Sequence, residues 1–199
     1  MTWLEDSRWE QEWWSSCTNT LDEEWKQLVV MKRFGFEEIP GYKNHFVFDM
    51  QGKRILDLGG GPVSLLLKCV NVKGFVIDPL AYPRWVLERY YEAGINHVRQ
   101  KAEDIEEWTE RWMSSLDEVW MYNLLQHVED PERIAKSARK LAPMLRVFDW
   151  IEAGVMPGHP HNLTVDKMNA WFGEVGTVEE IDEHGAKGTA WHGNFLLSG

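Results

Sequence analysis

The sequence predicts a three-layer α/β/α domain built on a mostly parallel sheet, and three observations carry that expectation. Short runs rich in Val, Ile, Leu and aromatic residues recur at 54–58, 74–78, 97–100, 118–122 and 145–151. Segments able to form helices separate them at 63–70, 82–93, 104–115 and 130–141. Strand alternating with helix implies parallel strands joined by right-handed crossovers, with both sheet faces covered. The stretch "RILDLGGGP" then sets three glycines directly behind the first strand, where an open α/β sheet presents its ligand.

Taken in order, the N-terminus "MTWLEDSRWEQEWW" is crowded with Trp3, Trp9, Trp13 and Trp14, with Trp25 following. Such aromatics read as a helical layer packed on the core, or as a lid over a ligand in which "WWSSCTNT" closes a pocket and excludes water. In "TNTLDEEWKQLVVMKRFGF", Thr20 with Glu23 reads as a capping box. Leu21, Trp25, Leu28 and Val29 recur at helical spacing, and Gly35 stops the helix. After the fifth strand the rhythm changes. The loop "EAGVMPGHPHNLT" leads to a helix "VDKMNAWFGE" capped by Thr164. Two strands near "TVEEID" and "WHGNFLLSG" follow, separated by a turn too short for anything but antiparallel pairing. Residues 1–199 thus read as one domain, with an N-terminal helical extension (1–50), a ligand-binding core (51–151) and an acceptor-side loop, helix and hairpin (152–199).

Composition narrows the function. A chain of 199 residues is long enough for one core, and a formal net charge of −11 without a basic patch argues against a nucleic-acid partner. Cys17 and Cys69, far apart, give neither a disulfide framework nor a zinc pattern, which suits a cytoplasmic compartment. The acidic N-terminus is unlike a signal peptide, and no run approaches the ~20 apolar residues of a membrane span, so no membrane partner is expected.

The glycines suit a ligand more closely than a tight turn alone requires. Gly59 and Gly61 let backbone approach a ligand and adopt positive φ where a side chain would clash. Asp57 is placed to orient the turn or to meet a ligand's ammonium group, and is a poor neighbour for a pyrophosphate. Asp78 closes the second strand 21 residues beyond Asp57, where its two oxygens can accept from both hydroxyls of a ribose. After the third strand, "KAEDIEEW" offers an acidic side chain or a backbone N–H to an adenine edge.

Together "ILDLGGGP", "VIDPL", "KAEDI" and "NLLQHVEDPERIAKSARKLAP" stand in the order and at the spacing of a class I S-adenosylmethionine-dependent methyltransferase of the small-molecule type, which residues 54–141 resemble. The resemblance implies a Rossmann-like fold whose seven-stranded, mostly parallel sheet ends in an antiparallel C-terminal hairpin. It implies S-adenosylmethionine as cofactor and S-adenosylhomocysteine as product. Carried over, Asp57, Gly59, Gly60 and Gly61 shape the methionine end, Asp78 holds the ribose, and Pro79 and Leu80 lie against the nucleoside. Ala102 and Glu103 meet the adenine edge, and Asn123 offers backbone to the ammonium. Many members carry a further glycine where this chain has Val63.

Methyl transfer from a sulfonium needs positioning rather than a covalent enzyme intermediate, so Cys69 reads as a core residue in an apolar helix. A hydroxyl or ammonium acceptor must lose a proton, and His127, His159 and His161 at strand ends are the candidate bases. His127 reads also as a packing and hydrogen-bonding residue, the reading its segment favours. His159 and His161 have a metal-like spacing but no identified third ligand, so no metal is expected. The acidic "EDIEEWTER" reads as a solvated helix face. The sequence therefore points to O- or N-methylation of a small molecule. Two alternatives remain: a cofactor-binding protein without turnover, and a nicotinamide-dependent oxidoreductase, against which the terminal hairpin speaks.

Overall fold

A computed structural model describes residues 3–39, 47–112 and 115–197. Its main sheet contains β1 (Arg54–Leu58), β2 (Lys73–Ile77), β3 (Asn96–Val98), β4 (Glu118–Tyr122), β5 (Met144–Trp150), β6 (Thr177–Glu183) and β7 (Ala186–Leu196). The spatial order is β3-β2-β1-β4-β5-β7-β6, with the first five parallel and β7 antiparallel to both neighbours. The order reverses beside β1, which opens a crevice above its carboxyl end. Among the described residues no helix is long and apolar enough to cross a membrane.

Alternation along each strand feeds two cores. In β4, Val119 and Met121 join Leu56, Leu58, Leu145 and Val147 on one face. Trp120 joins Ile55, Val76 and Phe148 on the other. Both faces are apolar because helices cover both, as the sequence pattern requires. The hairpin closes through His184 and Gly185, both at positive φ, in the turn geometry that matches strand twist.

The helices are α1 (Trp3–Trp14), α2 (Cys17–Arg33), α3 (Arg84–Glu92), α4 (Ile105–Trp112), α5 (Pro131–Ala138) and α6 (Val165–Phe172). The expected cap of α6 is present: Thr164 Oγ1 accepts from Lys167 N, and Gly173 ends the helix in the left-handed region. Asp130 caps α5, its Oδ1 accepting from Arg133 N at 2.9 Å, with Pro131 at the first position. Asp130→Ala is expected to cost about 1 kcal/mol. In thermal unfolding that is a fall of about 2–4 °C, and no shift would refute the cap.

Several expectations are corrected. The Thr20–Glu23 pair does not begin α2; Ser16 does, and Thr20 lies one turn inside with its hydroxyl donating to Ser16 O at 2.9 Å. Trp25 is 60% exposed, while Leu28, Val29, Val30 and Met31 form the buried side. Gly35 does end the helix: Phe36 N bonds Met31 O and Gly35 N bonds Lys32 O, with Gly35 at φ 83°. The expected helix at 63–70 is a 3-10 turn, Leu65–Lys68, followed by the two-residue strand Cys69–Val70 paired with Phe48–Asp49. Cys69 therefore sits in a strand rather than a helix, and burial pushes its thiol pKa far up, which suits a packing role.

α2 is pinned at its middle and at its C-terminal end. Arg33 reaches Glu179 and Glu183 at 2.6 Å each, tying the helix to β6, and Glu24 pairs with Lys68 and Arg89 at 2.5 Å. α1 rests on the loop after β5, where a side chain at Gly158 would meet the Trp9 ring at 2.6 Å. At the opposite end of the sheet Glu118 is buried among Arg146, Lys53 and the Trp120 indole N–H. Burial pushes its pKa up most strongly, and these three donors outweigh it, so the net shift is downward.

Candidate functional site

The chain leaves β1 through Gly59 and Gly61, at φ 69° and 60°. Gly59 N donates to Ile77 O at 2.8 Å, holding the loop against β2. Gly60 is required for a different reason: a Cβ there would lie 2.8 Å from Asp57 Oδ2 and 2.9 Å from Val76. Asp57 lies behind this loop, 1% exposed, with Oδ2 accepting from Ser64 Oγ at 2.5 Å. Burial raises its pKa to about 7, with the nearby charge of Asp78 adding to the rise. Of the two roles considered for Asp57, its geometry is that of orienting the turn.

Above the loop lies a narrow crevice with a cavity volume of about 80 Å³, lined by the glycine loop, the ends of β2 and β4, and residues of α1 and α2. Nine of the ten residues expected at a cofactor line it, all but Asp57. Asp78 is among its lining residues. Oδ1 accepts from Leu80 N at 2.9 Å and Tyr82 Oη at 2.7 Å, and Oδ2 accepts from Gly61 N at 3.2 Å. Burial pushes its pKa up to about 6 against those donors. A carboxylate offers about four acceptor positions, and these three donors leave one, on Oδ2, for a hydroxyl. Glu103 lines the crevice, but Oε1 accepts from Glu129 N at 2.8 Å and Asp130 N at 3.4 Å, which turns that oxygen toward the loop after β4. Asn123 ends β4 in the left-handed region at φ 52°, strain that its Oδ1 bond from Gln126 Nε2 at 2.6 Å helps to hold.

The three histidines separate. His127 lines the crevice, with Nδ1 2.7 Å from both Gly158 O and Glu10 Oε1. Two acceptors at Nδ1 require that nitrogen to carry the proton, so in the neutral ring Nε2, 3.5 Å from Asn123 Nδ2, is the basic atom. Burial is the largest influence on this ring and opposes its charge. The Glu10 carboxylate, with Asp149 and Gly158 O, overcomes it and raises the pKa. His159 packs edge-on against His127 at 4.6 Å and borders the neighbouring groove with Gln126, Trp150 and Met156. His161 Nε2 lies 2.8 Å from Val128 O, a tie between two loops. Only His127 reaches the crevice. Among the described residues no group of three or more His, Cys, Asp or Glu side chains is arranged to hold a metal ion.

The sequence offered the Trp-rich N-terminal segment as a lid, and Trp14 does line the crevice, but it singled out no polar residue of the roof for the site. Ser7, Glu10 and Trp14 of α1 and Glu23 and Gln27 of α2 line it, and Tyr122 Oη donates to Glu23 Oε1. Glu23 and Gln27, four residues apart, share one helix face, a spacing that was available in the sequence. Trp14 faces the crevice. Trp13 is exposed and stacks on Trp9 at 5.4 Å.

These buried carboxyls set a pH dependence. Asp57 and Asp149, with pKa raised to about 7, and Asp78, raised to about 6, bind protons more tightly folded than unfolded. Their contribution to stability is full below about pH 4 and lost as pH rises through 6 to 7. His127, also raised, acts in the same direction. Glu24 and Glu118, with lowered pKa, act oppositely, their contribution lost as pH falls below about 4.5. The ligand-free chain is expected to melt at a higher temperature at pH 5.5 than at pH 8. Equal or reversed melting temperatures would refute the burial of these aspartates.

Solved structures share this fold. A chain of the complex between the Haloferax volcanii Trm112 methyltransferase activator and the putative methyltransferase superposes with a TM-score of 0.60 at 14% identity, over 94% of this chain and 97% of that one. A SAM dependent methyltransferase from Aquifex aeolicus gives 0.55 at 18% identity, over 94% and 97%. The N-terminal domain of EvdMO1 with SAH bound gives 0.56 at 14% identity, over 92% and 85%. No family model matches the sequence, and no curated protein does. The chain thus has the seven-stranded fold of class I S-adenosylmethionine-dependent methyltransferases, as its sequence led us to expect.

Proposed function

We propose that the chain binds S-adenosylmethionine in the crevice above β1 and β2 and transfers its methyl group to an oxygen or nitrogen of a small molecule. One observation carries the reading. The glycine loop, Asp78 and Asn123 converge on a single crevice whose walls include the carboxylates of Glu10, Glu23, Asp78 and Glu103 and, among the described residues, no lysine or arginine. Such walls suit a nucleoside bearing a sulfonium and disfavour a pyrophosphate, which argues against a nicotinamide dinucleotide.

When bound, the cofactor supplies an electrophilic methyl on a sulfonium. The chain supplies the rest: Asp78 holds a ribose hydroxyl, Gly59 to Gly61 give close backbone approach, and Leu80 and Ala102 flank the base. Pro79 and Glu103 complete that end, and Asn123 addresses the ammonium. His127, held by Glu10 and Gly158, takes the acceptor's proton at Nε2. His159 supports the His127 ring from behind, and α1 and α2 exclude water.

Calorimetry with S-adenosylmethionine, S-adenosylhomocysteine and NADH tests the binding step. Micromolar binding of the first two without the third is expected, and the reverse would overturn the reading. Transfer of labelled methyl to a panel of alcohols, phenols and amines then tests turnover. Tight binding with no transfer to any acceptor would favour the non-catalytic alternative.

A further inference from the structure

The wall that α1 and α2 give the crevice has its own chemistry. Glu10 and Glu23 bring carboxylates and Trp14 an aromatic face. Glu23 is 9% exposed, and a buried carboxylate is tolerated only against donors or a cation. Tyr122 Oη donates to its Oε1, and Lys26, which does not line the crevice, reaches Oε2 at 2.9 Å. Neither bond exhausts the acceptor positions of the carboxylate.

Gln27 gives an independent observation. It is 1% exposed and lines the same wall, and its Nε2 donates to the Val63 carbonyl. That bond fixes the amide's orientation, because the flipped form would set two oxygens together. Oε1 is then sealed from solvent without a hydrogen-bond partner. A buried acceptor left unsatisfied is costly, and what it lacks is a donor.

We infer that α1 and α2 build an alkylammonium subsite from Glu10, Glu23, Gln27 and Trp14. Carboxylates and an amide oxygen accept the N–H groups, and the indole faces the cation. Two sources carry that group under the proposed function, on which this inference rests: an amine acceptor, and the amino-acid end of the cofactor. In the acceptor case the ammonium first gives one proton to His127 Nε2. The nitrogen lone pair then forms the N–CH3 bond as the S–CH3 bond breaks with its electron pair returning to sulfur. The products are an N-methylammonium and the thioether S-adenosylhomocysteine, and the proton passes from His127 to water.

The test compares the whole chain with Glu23→Gln and Gln27→Leu, using phenethylamine against 2-phenylethanol and S-adenosylhomocysteine against 5′-methylthioadenosine, which lacks the amino-acid end. If the acceptor's ammonium occupies the subsite, the wild-type chain binds and methylates the amine in preference to the alcohol. The variants then raise the amine's KM at least tenfold at unchanged S-adenosylhomocysteine affinity. If the cofactor's ammonium occupies it, the variants weaken S-adenosylhomocysteine at least tenfold and leave methylthioadenosine unchanged. The inference falls if the wild-type chain binds S-adenosylhomocysteine but shows neither an amine preference nor a loss of affinity confined to the amino-acid end in the variants. Absence of S-adenosylhomocysteine binding in the wild type sinks the cofactor reading instead. Phenethylamine binding without cofactor then decides the subsite by itself, and because it needs no variant, a misfolded mutant does not obscure the result.

Discussion

Trp191→Ala is expected to destabilise the chain by about 3–5 kcal/mol, the cost typical of emptying a buried aromatic site. Trp191 lies on β7, fully buried, stacked on Phe172 at 5.2 Å and tilted against Phe195 at 5.7 Å. Its indole N–H donates to Asn169 Oδ1 at 2.9 Å, so alanine also removes a donor from a side chain on α6. The surroundings are fitted to the ring: a Cβ on Gly176 would lie 2.2 Å from it. Because Phe172 is on α6 and Phe195 on β7, the ring joins the helix to the hairpin, and collapse around the void would have to move both. Urea denaturation at constant slope measures the loss. Trp191→Phe, which keeps most of the apolar area but not the donor, is expected to lose less. A loss below about 1 kcal/mol in the alanine variant would show that the site relaxes and that this layer is not closely packed.

The β-strands were legible because the physics that forms them is local. Each carries a run of apolar or β-branched residues, and β1 and β4 fall at the residues expected. The hairpin was legible because so short a connection between its strands permits only antiparallel pairing. What failed was where tertiary contact overrode local preference. "LLLKCV" reads as helix by composition, yet the parallel bridge to Phe48–Asp49 takes Cys69 and Val70 into a strand and leaves only a 3-10 turn before it. Thr20 and Glu23 form a capping box by spacing. Ser16 instead starts α2 earlier, and Glu23 is drawn inward to Tyr122, a partner 99 residues away that no local pattern announces.

The floor of the candidate site was legible for the same reason, since Gly59 to Gly61 and Asp78 follow strand ends directly in sequence. The polar residues of the roof were not. Glu10, Glu23 and Gln27 lie on helices before the first sheet strand, and only the fold brings them over its carboxyl end. His159 and His161 show the opposite limit: they are placed beyond β5 as expected, but one packs on His127 and the other bonds a loop carbonyl.

Asp78→Ala is expected to weaken binding of S-adenosylhomocysteine by about 1.5–3 kcal/mol, or roughly 10- to 150-fold, the range for hydrogen bonds to a charged group. The ionised carboxylate is the stronger acceptor, and Oδ2, which holds only Gly61 N, is the oxygen left for a ribose hydroxyl. Burial holds its pKa near 6, so wild-type affinity should fall as pH is lowered from 8 to 5. The alanine variant should lose the part of that dependence due to Asp78. Loop collapse is the competing explanation, because Asp78 also accepts from Gly61 N and Leu80 N. Asp78→Asn separates the two: its carbonyl oxygen keeps one backbone bond, while the charge is gone at every pH. If the carboxylate holds the ribose, the asparagine variant binds weakly and lacks that pH dependence, with thermal stability at pH 8 equal to or above the wild type because no buried charge remains. If both variants bind as tightly as the wild type, the acid at the end of β2 does not hold the ribose, and the crevice must grip its nucleoside elsewhere.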